Sequence, residues 1–159
     1  MNYLKINYND IANGEGLSVS VFVSGCPHHC PGCFNPESWD FSAGDELTEE
    51  IMDNIVEHMS DYGIMRNLSI LGGEPLAESN LSGVYKLIQK ARKKYGDFKI
   101  YLWTGYLYED LLKQDNPLIN KILNEIDILI DGPYIADLRD ITLKLRGSSN
   151  QRIIQLRHF

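Results

Sequence analysis

Four short apolar segments constrain this chain most, because each runs directly into a turn that carries glycine. They are SVSVFVSG (18–25), NLSILGG (67–73), FKIYLWTG (98–105) and IDILIDG (126–132). SVSVFVSG alternates and is rich in Val and Phe, NLSILGG is a short apolar run ending in glycines, and the other two are similar short apolar runs, so each predicts a strand. The stretches between them have helical spacing. Ile51, Ile55 and Met59 recur every four residues behind Thr48, which can cap a helix whose first turn holds Glu49 and Glu50. Leu81, Val84, Ile88 and Ala91 make a second stripe, closed by Arg92, Lys93 and Lys94 and then Gly96. A short helix is expected over 107–114, and Asn116-Pro117 starts another, with Asn as cap and Pro at the first helical position. Strand and helix therefore alternate, the pattern of a parallel sheet with helices packed on it.

ITLKLRG (141–147) and RIIQL (152–156) read as two further strands. The expected fold is thus α/β, a mostly parallel sheet of about four to six strands in one domain spanning 1–159. No repeat, low-complexity tract or linker divides the chain. A closed eight-stranded barrel typically needs ~250 residues, so 159 residues predict an open or truncated one.

Ligands of parallel sheets bind beyond the carboxyl ends of the strands. Cys26 to Cys33 follow the first of the four segments, Gly72-Gly73-Glu74 the second, Thr104-Gly105-Tyr106 the third, and Asp131-Gly132 the fourth. All of these fall on one rim.

The rim carries every cysteine of the chain. Cys26, Cys30 and Cys33 lie within GCPHHCPGCFN (25–35) in the spacing C-x3-C-x2-C. Thiolates are soft ligands that suit zinc or an iron–sulfur cluster. Three cysteines leave one iron of a four-iron cluster open to an outside ligand, and an open coordination position is where chemistry occurs. Zinc is the other reading, with His28, His29, His58 or His158 as fourth ligand. For His28 and His29 themselves, loop polarity or hydrogen bonding around the site is the plain alternative.

Taken together, NGEG (13–16), FVSGCPHHCPGCFNPESW (22–39), LGGEPL (71–76), WTGY (103–106), LIDGPY (129–134) and LRGSSNQR (145–152) resemble the radical S-adenosylmethionine (SAM) superfamily. Within it they resemble the activating proteins of anaerobic ribonucleoside-triphosphate reductases, over essentially the whole chain. The resemblance implies a truncated partial (β/α) radical-SAM barrel. It implies a 4Fe-4S cluster on Cys26, Cys30 and Cys33, and SAM as cosubstrate. The implied reaction is reductive cleavage of SAM and creation of a glycyl radical on the reductase's glycyl-radical subunit, with a flavodoxin-type protein as electron donor. Gly72, Gly73 and Glu74 match the superfamily's motif for the SAM amino group. Gly32 stands where an aromatic residue often precedes the third cysteine, and Phe34 follows it. Gly32 and Phe34 are therefore expected at the adenine. Thr104 and Asp131 are expected at the ligand, although Asp131 equally suits a turn cap. The Asp of an Asp-Thr-Asn-Gly motif is missing before Thr104, so no residue is assigned to the ribose or the carboxylate. Activation of another glycyl-radical enzyme, a small-molecule radical SAM reaction and a zinc-bound interaction module remain the alternatives.

Charge narrows the partners. Fifteen Lys and Arg against 22 Asp and Glu give a net charge of −7, which argues against a phosphate backbone as main partner. No apolar run approaches the ~20 residues of a transmembrane helix, and MNYLKINYNDIANGEG (1–16) has no signal-peptide core. A cytoplasmic protein without a membrane partner is expected.

Overall fold

The computed structural model describes residues 1–157. In chain order its elements are β1 (Asn2–Asp10), β2 (Ser18–Val23), β3 (Asp45–Glu46), α1 (Glu49–His58), β4 (Asn67–Gly72), α2 (Leu81–Lys94), β5 (Ile100–Trp103), α3 (Tyr108–Gln114), α4 (Pro117–Glu125), β6 (Ile128–Asp131) and β7 (Arg152–Gln155). The strands form one sheet in the order β3-β1-β2-β4-β5-β6-β7. Its centre, β2-β4-β5-β6, is parallel. Antiparallel pairs close both sides: β1 on β2, β3 on β1, and β7 on β6.

Seven strands are present, against the four to six expected. The four apolar segments are all strands, and RIIQL supplies β7. The additional strands are β1 and β3. β1 is mostly half-buried, and its register slips between Tyr3 and Lys5, so its side chains do not keep the two-residue alternation that marks a strand. β3 is only two exposed residues long. ITLKLRG forms turns instead of a strand: Thr142 N donates to Asp140 Oδ1 at 2.9 Å, and Leu145 has φ +62°. Its alternating leucines line a cavity, described below.

Strand alternation gives the sheet two different faces. Val19, Val21 and Val23 of β2, Leu68 and Ile70 of β4, Ile100 and Leu102 of β5, and Leu129 of β6 point into one buried cluster. Met52, Ile55 and Val56 of α1, Val84, Leu87 and Ile88 of α2, and Ile119 and Ile122 of α4 join them there. Burying each such side chain stabilises the fold by about 1.5–3 kcal/mol. The helices are capped as their sequences suggest. Thr48 Oγ1 accepts from Ile51 N at 3.2 Å, and Asn116 Oδ1 accepts from Leu118 N at 2.9 Å. The opposite face carries Ser18 and Ser20 of β2, Ser69 of β4 and Tyr101 of β5, with Phe22, Leu71 and Trp103 nearer the carboxyl ends. Loop segments cover this face where the helices are absent. Among the described residues, no helix is long and apolar enough to cross a membrane.

Candidate functional site

The carboxyl ends of β2, β4, β5 and β6 are drawn together by backbone contact. Gly73 N donates to Val23 O at 2.8 Å, and Glu74 N donates to Gly25 O at 2.7 Å. A Cβ on Gly73 would lie 2.4 Å from Gly25 O, so only glycine lets the two turns approach this closely. Buried Asn80 donates from Nδ2 to Ser24 O and to Glu74 O, both at 3.0 Å, and pins the same junction.

The cysteine loop hangs from that junction. Cys26 N donates to Trp39 O at 3.2 Å, and Cys33 N donates to Cys30 O at 3.0 Å. All three thiols are free and partly buried. Asn35 N donates to Cys33 Sγ at 3.5 Å, the kind of amide–sulfur bond that tunes a bound cluster. Burial pushes the Cys26 thiol up, and the nearby Glu74 carboxylate adds to the effect.

One cavity of about 520 Å³ opens on this rim. Cys26, Cys30, Cys33 and Phe34 line it, with Gly72 and Gly73 after β4 and Thr104 after β5. Phe22, Leu71 and Trp103 line it from the open face of the sheet. The rest of the wall comes from Ala12 and Asn13 of the β1–β2 loop and from the segment between β6 and β7, notably Tyr134, Leu143, Leu145 and Arg146. Seven of the ten sequence-derived candidates thus line the cavity together; Gly32 lies in the cysteine loop outside the lining, and Glu74 and Asp131 sit behind it.

Glu74 is 0% exposed and does not line the cavity. Its carboxylate is bonded to four groups of the protein. Oε1 lies 2.6 Å from His28 Nε2 and accepts from Gly105 N at 2.7 Å. Oε2 accepts from Leu76 N at 2.9 Å, and Thr104 Oγ1 lies 2.9 Å from both oxygens. Glu74 therefore ties the cysteine loop to the turns after β4 and β5. Asp131 is likewise 0% exposed and does not line the cavity. It accepts from Tyr108 N at 2.8 Å and from Arg152 at 3.0 and 2.5 Å. Arg152 also forks onto Glu109 at 2.9 and 2.7 Å. That pairing holds the Glu109 carboxyl down at about 2. Gly32 has φ +76° beside Ala136 and is exposed. Phe34 is 61% exposed, which excludes a core role; its ring lies 4.8 Å from Tyr134.

Two of the four histidines considered for zinc are engaged elsewhere: His29 stacks on Trp39 at 4.5 Å and 9°, and His58 pairs with Asp61 at 2.6 Å. His28 lines the cavity and has its Nε2 bonded to Glu74. His158 lies outside the described residues. Among the described residues, no three His, Cys, Asp or Glu side chains converge as ligands of one ion. Ligands of a cubane sit on separate irons and need no such convergence. Three free, soft donors on one loop and one cavity fit a cluster.

Comparison with known proteins agrees with that donor set. The family model described as "4Fe-4S single cluster domain" matches residues 12–154. The chain is 38% identical over 158 residues to the anaerobic ribonucleoside-triphosphate reductase-activating protein of Escherichia coli K12, covering 99% of this chain and all of that one. The activating protein of Vibrio cholerae is 40% identical over 96% of this chain and 97% of its own length. That of enterobacteria phage T4 is 36% identical over 96% and 93%.

The chain belongs to this family of activating proteins.

Within the family framework, the sequence left two parts of the site unseen. The His28–Glu74 bond had no signal beyond the presence of both residue types near the rim. The wall contributed by Ala12, Asn13, Leu143, Leu145 and Arg146 lay inside NGEG and ITLKLRG or next to them. Those stretches were visible as a resemblance and as a strand-like pattern, neither of which reports a cavity.

Proposed function

We propose that the chain is a radical SAM activase, a single domain on a truncated barrel, that creates a glycyl radical on an anaerobic ribonucleoside-triphosphate reductase. The observation that carries this reading is the shared cavity: three free thiols of one loop and the Gly72-Gly73 turn face the same space. Cys26, Cys30 and Cys33 would hold a 4Fe-4S cluster, and SAM would occupy the cavity beside it. When reduced, such a cluster supplies the electron that splits the SAM sulfonium into methionine and a 5′-deoxyadenosyl radical, which takes a hydrogen atom from a glycine of the partner.

The chain's own residues position and shield. The Gly72-Gly73 backbone is suited to the SAM ammonium, because glycine leaves its carbonyls open to close approach. Glu74 serves the same turn from behind, holding Thr104, Gly105 and His28 in place. Phe34 and Gly32 flank the adenine position next to Tyr134. Phe22, Leu71 and Trp103 exclude water from the open face. The sheet is open, and loops rather than further strands complete the wall. An open side admits an extended peptide loop that brings walls of its own, whereas a small substrate is better served by an enclosing pocket. Three free thiols and a reducible cluster suit the cytoplasm, with a flavodoxin-type donor.

The test is to incubate the reduced, cluster-loaded protein and SAM with the reductase. A glycyl-radical doublet in electron paramagnetic resonance is expected, and it should vanish when the reductase's radical glycine is replaced by alanine. An undiminished radical in the alanine variant, or efficient turnover of a small molecule with no protein radical, would overturn the proposal.

A further inference from the structure

Arg146 is the one Lys or Arg among the residues that line the cavity. It shares that wall with the three cysteines and the Gly72-Gly73 turn. Its guanidinium is only lightly used: Nη1 donates to Gln151 O at 3.2 Å and Nε to Lys144 O at 3.4 Å. Neither partner is charged, and no ion pair is formed by Arg146 among the described residues. Asp140 feels its charge, but that carboxylate is turned to Thr142, accepting from its N at 2.9 Å and from Oγ1 at 2.5 Å. Five N–H donors in a rigid fork, two of them spent on carbonyls, leave the geometry that grips a carboxylate with two bonds.

The backbone around Arg146 is fixed at some cost. Leu145 has φ +62°, a conformation that costs a non-glycine residue about 1 kcal/mol or more, and Trp103 Nε1 holds its carbonyl at 2.7 Å. Gln151 Oε1 accepts from Gly147 N at 2.9 Å and from Ser148 N at 3.2 Å. A Cβ on Gly147 would lie 3.1 Å from both Phe34 and Tyr134, so the turn is seated against the cysteine loop. Strain of this kind persists where the surroundings over-determine it, and here it sets one arginine against one cavity.

We infer that Arg146 binds the methionyl carboxylate of SAM. The inference rests on SAM being the cavity's ligand, as proposed above. SAM presents an ammonium and a carboxylate on the same carbon. The Gly72-Gly73 turn offers acceptors for the first, and Arg146 is the cation available for the second. Asp131 and Arg152 are not available, since they are bonded to each other behind the rim.

The test pairs a change in the protein with a change in the ligand. Binding of SAM and of decarboxylated SAM to the cluster-loaded protein is measured by calorimetry without reductant, so that no turnover enters. The wild type should prefer SAM, and Arg146→Ala should cut that preference by roughly 10- to 150-fold, the worth of one charge-assisted carboxylate contact, while binding decarboxylated SAM as the wild type does. Arg146→Gln, which can still donate to Gln151 O, should behave alike and guards against collapse of the turn. Arg146→Lys should retain part of the preference. A full preference for SAM in Arg146→Gln, or no preference in the wild type, would overturn the inference while leaving SAM as ligand. Failure of the wild type to bind either compound would instead remove the functional reading on which it rests.

Discussion

The two faces of the central sheet are built from the same strands and do opposite work. On β2, Val19, Val21 and Val23 are wholly buried under helices, while Ser18, Ser20 and Phe22 face the other way. The helix-covered face is uniformly apolar, and its energy is spread over many interchangeable side chains. The open face is mixed: serines below, three large apolar rings and chains above, then glycines and cysteines on the rim. Its organisation rests on a few polar contacts, of which the Glu74 carboxylate is the centre. Substituting one face should therefore change stability, and substituting the other should change chemistry.

The sharpest separation is expected at the cysteines. Cys26→Ala, Cys30→Ala and Cys33→Ala should each bring SAM cleavage down to background, while circular dichroism of the apo-proteins stays like that of the wild type. Cleavage at wild-type rate in any one of them would remove that residue from the ligand set. Leu102→Ala should do the reverse. Leu102 is fully buried beneath the helices, and the truncation should cost about 2–5 kcal/mol in denaturant unfolding. Cleavage per folded molecule should be unchanged; a large loss of it would mean the two faces are not separable. Glu74→Gln should lie between these, because Glu74 belongs to the rim yet is fully buried. Loss of one charge-assisted partner predicts a cost of roughly 1.5–3 kcal/mol together with weaker SAM binding. Stability equal to wild type would show that its hydrogen bonds are dispensable. The smallest effect is expected from Glu109→Gln, at an exposed position. Arg152 depresses the Glu109 carboxyl from its ordinary 4.5 to about 2. A depressed carboxyl contributes stability that is complete above its unfolded value and is lost as the pH falls through the folded one. The apo wild type should thus lose stability more steeply than Glu109→Gln between pH 4.5 and 2, and equal slopes would contradict the pairing.

The helix-covered face and the rim were both legible in the amino-acid sequence, for different reasons. Val19, Val21, Leu68, Ile70 and Leu102 announce buried strands because apolar burial depends on residue type and short-range order. Cys26, Cys30, Cys33, Gly72 and Gly73 announce a rim because their spacing after strands is itself local. β1 was hidden, since an irregular register at Tyr3 and Lys5 breaks the period that betrays a strand. ITLKLRG misled for the converse reason. Leu143 and Leu145 alternate because they face a cavity, and their backbone is satisfied by turns instead of by a neighbouring strand. Glu74 shows the limit most clearly. Its type and place pointed to a ligand contact, whereas its partners His28, Thr104 and Gly105 come from segments 46, 30 and 31 residues away. Only the folded chain shows that they fill it.

The central claim is that the rim holds one cluster with one coordination position left for SAM. Anaerobic reconstitution with iron and sulfide, followed by metal analysis and electron paramagnetic resonance of the reduced protein, tests it most directly. The account predicts about four irons and four sulfides per chain, a visible absorption that bleaches on reduction, and a resonance signal that changes when SAM is added. A colourless protein holding one zinc per chain, or a cluster whose signal SAM leaves untouched, would contradict it.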